Sequence, residues 1–251
     1  VFLPFYARLA KLDFQFVAVD FLREVEIHLG PRKFTYSVFT TRLPESPVDV
    51  YFVHCPALYH HDSIYSGEWD EYLRFALLTR VALESCQRMG WAPDIVHVHD
   101  WHTALAPIYL RTIYAWDRLF AKTRTALTLH NLGYQGVFST QILDEIGLAG
   151  HAEMLYNEDL AAGRVSFLKT GLLYADALTT VSASILSCAP APTTCRAAST
   201  ESTTANGARS PIPTSRTSTR PSVSRARRRR SAPCSRRSDC RSRARRRCSA
   251  W

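Results

Sequence analysis

Three imidazoles, a carboxylate and an indole are packed into His97-Val-His-Asp-Trp-His102, and a further pair, His130 and Asn131, follows downstream. Imidazoles change charge near neutral pH and can donate, accept or ligate, so this composition has three readings. The first is a metal site, because His-x-His-Asp-x-His resembles a ligand cluster. Against it, His97 and His99 share one strand face, His102 has turned into a helix, and no second carboxylate is placed nearby; no metal is expected. The second is a capped helix, with Asp100 or Thr103 as N-cap of a helix over Ala104–Tyr114. The third is a binding site for a polar substrate built on strand ends.

The elements that must position these residues favour an α/β fold. Short β-branched and aromatic runs predict strands over Phe14–Phe21, Val25–Leu29, Phe34–Thr40 and Val48–Val53. The spacing of Leu73, Leu77, Val81 and Cys86 predicts a helix over Glu71–Met89. Beyond it come a buried strand at Ile95–Val98, the helix Ala104–Tyr114, a buried strand at Ala126–Leu129, a helix over Ala161–Tyr174 and a strand at Ala177–Val181. Alternation at this spacing argues for a parallel sheet covered by helices on both faces. Ligands of such sheets lie beyond the carboxyl ends of the strands. His97 to His102 end one strand and His130 and Asn131 the next, so both groups are expected at one crevice. Tyr109, Tyr114 and Trp116 are expected to pack on a helix face.

The 251 residues and 46% apolar content suffice for a core, but the net charge of +9 hides a seam. From Ala183 to Trp251 there are 16 arginines, no lysine, and only Glu201 and Asp239 as acids, a net +14. All nine histidines and every Tyr and Phe precede the seam. The expected organisation is therefore a folded body, residues 1–182, and a disordered Arg/Ser-rich tail, residues 183–251, too poor in apolar side chains to offset its ordering entropy. No apolar run is long enough to span a membrane, and the first residues lack the pattern of a signal peptide. A soluble chain without membrane partners is expected. The seven cysteines show no CxxC spacing, supporting neither zinc nor a disulfide framework. Val1 stands inside an apolar segment with no initiator Met, as expected of a fragment.

Three segments carry a resemblance. Asp94-Ile-Val-His-Val-His-Asp-Trp-His-Thr-Ala-Leu-Ala-Pro, Thr128-Leu-His-Asn-Leu-Gly-Tyr-Gln-Gly and the run from Arg164 to Ser182 are similar to the first domain of bacterial glycogen synthases and plant starch synthases. Tyr51-Phe-Val-His-Cys-Pro-Ala-Leu-Tyr and Leu73-Arg-Phe-Ala match the same family in the same order. The resemblance covers about Phe2 to Ser182. It implies an incomplete N-terminal domain of a GT-B glycosyltransferase, Rossmann-like, moving glucose with retention from ADP-glucose to the non-reducing end of an α-1,4-glucan. It implies no cofactor, and a bacterial cytoplasm or a plant plastid as location.

Residue by residue, His130 matches the histidine at the donor glucose, and Asp100 the aspartate that orients the sugar or acceptor hydroxyl. His102 and Asn131 line the same pocket, and Tyr65 matches an aromatic residue near the donor. The family's opening strand and Lys-Thr-Gly-Gly-Leu phosphate loop have no counterpart here; Lys169-Thr-Gly-Leu belongs to a different motif. The second domain has none either, so this chain is expected to be inactive alone. Two readings of the tail stand. A basic arm would bind nucleic acid through phosphates, but the tail lacks interleaved aromatics and lysine. A GC-rich gene read out of frame gives the same composition, and Ser199-Thr-Glu-Ser-Thr-Thr-Ala-Asn-Gly-Ala can be encoded so that the shifted frame reads Asn-Gly-Val-Asp-Tyr-Gly-Glu-Trp-Gly, close to the family downstream. Frame loss is the expectation, and no specific nucleic acid. A glucan-binding remnant and an Arg-tailed nucleic-acid binder are the alternatives.

Overall fold

The computed structural model describes residues 1–181 apart from 12, 13, 61–63, 66 and 68; the tail, with Cys188 to Cys248 and the expectation of disorder, lies outside the described residues. In chain order the elements are β1 (Phe2–Pro4), β2 (Val17–Ala18), β3 (Val25–Leu29), β4 (Arg32–Arg42), β5 (Asp49–His54), α1 (Pro56–Tyr59), α2 (Glu71–Met89), β6 (Ile95–His99), α3 (Ala106–Arg111), β7 (Arg124–Leu129), β8 (Val137–Ser139), α4 (Asn157–Ala161), β9 (Arg164–Ser166), α5 (Phe167–Tyr174) and β10 (Ala177–Thr180). The fold is α/β, as the alternation predicted.

The strands form two principal sheets rather than one parallel sheet. The first runs β1-β5-β4-β2 with β3 also on β4, and only β1 and β5 are parallel. β4 is long because it serves twice, Arg32–Tyr36 on β3 and Ser37–Arg42 on β5. Gly30, at φ +54, makes the tight turn from β3 into β4, and a Cβ there would come within 2.7 Å of the Asp144 carbonyl oxygen. The second sheet is all parallel, β10-β7-β6, and β8 and β9 form a short antiparallel pair.

Six expectations need correction. The Phe14–Phe21 run yields only the two-residue β2 and a 3₁₀ turn at Asp20–Leu22, because only Val17 and Ala18 pair with β4 before the chain turns away. Ile95–Val98 is a strand, but not a buried one: β6 is an edge strand among the described residues, with Ile95 61% exposed. The helix expected over Ala104–Tyr114 shrinks to α3, with Leu105 as N-cap and no side-chain cap. Asp100 and Thr103 therefore do not cap it; Thr103 Oγ1 instead takes the His99 amide, 2.9 Å. The helix over Ala161–Tyr174 breaks at Gly163, φ +70, into α4, β9 and α5. Tyr109 and Tyr114 are buried as expected, whereas Trp116 is 75% exposed and packs on no core.

The second sheet is held in register at one end by a half-exposed network. Asp176, just before β10, accepts from Thr125 N and Thr125 Oγ1, both 2.8 Å, and faces the Arg111 and Arg124 guanidiniums. Burial acts to raise this carboxyl, but those partners outweigh it and hold it below the usual carboxylate range. α5 meets the turn before α3 closely because Gly171 has no side chain: a Cβ there would lie 2.7 Å from Ala104 Cβ and 2.8 Å from the Ala104 carbonyl oxygen. Gly171→Ala should therefore destabilise the body by about 1–2 kcal/mol, overpacking outweighing the roughly 1 kcal/mol that alanine contributes in a helix. A urea-unfolding midpoint equal to or above wild type would contradict this packing.

Candidate functional site

Parallel pairing of β6 with β7 sets His97 beside Ala126 and His99 beside Thr128, and β10 sets Thr179 beside Thr128. Alternation along each strand puts His97, His99, Thr128, His130 and Thr179 on one face. His97 Nε2 lies 2.6 Å from Thr128 Oγ1, which lies 2.6 Å from Thr179 Oγ1, a hydroxyl chain across the sheet. The imidazoles of His97 and His99 are 4.4 Å apart, and those of His99 and His130 5.3 Å.

After β6 the chain reverses at Asp100, a non-glycine residue with φ +50, whose amide donates to the Thr128 carbonyl at 2.9 Å. Aspartate tolerates this left-handed geometry better than most side chains. The turn aims the carboxylate at the loop after β7. Oδ1 accepts from the His130 amide at 2.7 Å and the Asn131 amide at 3.2 Å, and Oδ2 lies 3.2 Å from His130 Nδ1. With Nδ1 engaged, the half-exposed His130 ring presents its Nε2 edge away from Asp100. Asn131 Oδ1 in turn accepts from the Gly133 amide at 2.8 Å and folds the loop back on itself.

His102 stands on the opposite wall, in the turn before α3 rather than in a helix. Its ring stacks on Trp101, centroids 4.4 Å apart, and takes the edge of Phe75 at 4.6 Å. Tyr65 Oη lies 2.8 Å from His102 Nε2, and Tyr134 stacks on Tyr65 with centroids 6.0 Å apart. Burial lowers the pKa of His102, with Asp100 opposing, and burial together with His97 and His130 lowers that of His99. Among the described residues, no group of three or more His, Cys, Asp and Glu side chains is arranged to hold a metal ion, and no helix is long and apolar enough to cross a membrane. All five residues expected at the site from sequence lie in this region. His130, Asp100 and Asn131 form one bonded cluster, His102 and Tyr65 another. Sequence reasoning missed Tyr134 and the threonine chain; the period of two in 97, 99 and 126, 128, 130 was the available signal for the latter.

A family model described as the starch synthase catalytic domain matches residues 1–187. The chain is similar to the glycogen synthase of Thermosipho melanesiensis, 37% identical over 150 residues, covering 59% of this chain and 30% of that protein. It is 34% identical over 190 residues to the glycogen synthase of Pseudothermotoga lettingae, covering 72% of this chain and 37% of that one. Among solved structures, the catalytic domain of starch synthase IV from Arabidopsis thaliana, bound to ADP and acarbose, matches with TM-score 0.63 and 28% identity, covering 72% of this chain and 37% of that chain. The chain thus spans about a third of the length of the relatives it matches.

The depressed histidines make a pH prediction. An unfolded chain protonates its histidines near 6.5, whereas folded His99 and His102 stay neutral to lower pH, so the unfolded state binds more protons below 6.5. These two residues therefore contribute stability that is present above about pH 7 and is lost as pH drops through 6.5. Melting temperatures from pH 7.5 to 5.5 should decline, and less steeply in His102→Gln. An equal slope in that variant would remove His102 from the linkage.

Proposed function

The chain belongs to the starch synthase catalytic domain family, and we propose that residues 1–182 are the incomplete N-terminal domain of a GT-B glucan synthase. The reaction proposed for the whole enzyme is transfer of glucose from ADP-glucose to the 4-hydroxyl at a non-reducing α-1,4-glucan end, with retention and without metal. The observation that carries this reading is the Asp100–His130–Asn131 cluster at the carboxyl ends of β6 and β7, where an open α/β sheet binds its ligand. The Arabidopsis relative, bound to ADP and acarbose, supports a nucleotide and a glucan-like ligand as the two classes to expect.

In this proposal the Nε2 edge of His130 holds the donor glucose. The His130 main-chain carbonyl is a fixed dipole facing the anomeric carbon as its bond to the ADP phosphate breaks and positive charge develops. Asp100 is a positioning residue, since both its oxygens are spent on His130 and Asn131; this refines the expectation that it touches the sugar. Asn131 shapes the loop, and His102 with Tyr65 forms the facing wall. The resemblance assigns the donor phosphates to a loop and a second domain that the matched residues do not include, so the isolated chain is proposed to be inactive. The tail has no part in transfer and is proposed to be out of frame. A peptide of residues 183–251 and a scrambled copy should then bind RNA, DNA and heparin alike, since charge alone decides.

In a full-length synthase built on this body, His130→Ala and Asp100→Ala should each lower glucose transfer at least about tenfold, roughly 1.4 kcal/mol of transition-state stabilisation. Because Asp100 works through His130, the double variant should lose little more than the worse single one. Unchanged kinetics in both single variants would remove this site. Fully multiplicative losses would return Asp100 to direct contact with substrate.

A further inference from the structure

The site holds an aromatic column that the cluster of polar residues does not use. It starts at Trp101, 2% exposed, which is wedged among Phe75, Phe138 and Phe167, with ring centroids 4.7, 5.8 and 6.3 Å away. It passes through His102 to Tyr65, 48% exposed, and ends at Tyr134, 66% exposed and near-parallel to Tyr65 at 23°. Single exposed aromatics are ordinary on protein surfaces. A stacked pair fixed to the core through a hydrogen-bonded histidine is not a chance of that kind.

The loop that carries Tyr134 is held at both ends. At one end Asp100 grips the His130 and Asn131 amides. At the other, Gly136 sits at φ +59 so close to Trp101 that a Cβ would lie 2.3 Å from Trp101 Cε3. The outer ring is thereby presented at low entropic cost, which is what a binding platform needs. Its ligand is defined by the surroundings. A pyranose offers a face of axial C–H bonds to the electron-rich face of an aromatic ring. The Tyr65 hydroxyl feels the Glu71 and Asp100 carboxylates, which add to burial in raising its pKa. An uncharged sugar needs no counter-ion on this surface, and the exposed ring face alone can seat it.

We propose that the exposed face of Tyr134, backed by Tyr65, is a stacking platform for a glucose unit of the acceptor α-1,4-glucan. The proposal rests on the glucan synthase reading and adds the acceptor's seat to it. It is tested on the 251-residue chain by saturation-transfer NMR, irradiating protein aromatic protons and observing maltoheptaose or, separately, ADP. Circular dichroism confirms that each variant is folded. Transfer to maltoheptaose is expected in wild type, reduced at least fivefold in Tyr134→Ala and retained in Tyr134→Phe, which keeps the ring. Equal transfer in wild type and Tyr134→Ala, or no transfer in wild type, overturns the platform. Loss in Tyr134→Phe as complete as in Tyr134→Ala overturns stacking in favour of the hydroxyl. An ADP signal abolished by Tyr134→Ala overturns the choice of sugar over nucleotide. Glucosyl transfer by the full-length enzyme is a separate measurement, so the platform can fail while the synthase reading stands.

Discussion

The carboxylate of Asp100 is the contact on which the rest of the site depends. Strands β6 and β7 run side by side, but the loops that leave them have no ladder to hold them together. One side chain closes that gap, with two amides on Oδ1 and an imidazole nitrogen beside Oδ2. Charge-assisted bonds of this kind are about twice as strong as neutral ones. They can offset the roughly 1–3 kcal/mol cost of a non-glycine residue held in the left-handed region.

The reversal at Asp100 also determines where its neighbours go. His99, before the turn, stays on the sheet face with His97, while Trp101, after it, is driven into the core. Gly136 then reaches that indole because it carries no side chain. Trp101 Nε1 has no acceptor among the described residues, a cost of about 1–3 kcal/mol for a buried donor. Four aromatic rings packed around the indole are what compensate it. One strained backbone position therefore serves two walls: it clamps the His130 loop directly and supports the His102–Tyr65 wall through Trp101.

Legibility in the sequence followed from how locally each feature is determined. Helix α2 was readable end to end, because its apolar spacing is continuous and Gly90, at φ +61, stops it. Strand β3 was readable because Val25, Ile27 and Leu29 alternate with polar residues. What failed was decided by partners. The Phe14–Phe21 run has strand composition, yet only Val17 and Ala18 find pairing on β4. Gly163 falls inside the expected helix Ala161–Tyr174, but its positive φ turns the chain into β9, whose pairing with β8 no local pattern announces. At the site, residue identities were legible because they fall at strand ends. The assignment of Asp100 was not, since cap and clamp need the same side chain and differ only in the sign of one φ. Tyr134 was passed over for the same reason: its value comes from Tyr65, distant in sequence.

The edges of the two sheets lie open among the described residues. β1 ends the first sheet and β6 the second, and both belong to parallel pairs. An edge strand with an exposed Ile95 is poorly suited to face water, since its unpaired main-chain groups and apolar side chain invite another strand. The His97–His99–His130 face belongs to the sheet that this edge bounds. In the proposed enzyme, binding a sugar to groups already held in place costs little ordering entropy, whereas transfer also requires groups that stabilise the departing phosphate. The two proposed functions therefore set separate requirements: recognition of the glucan rests on the loop from His130 to Tyr134, and transfer on what meets the donor phosphates.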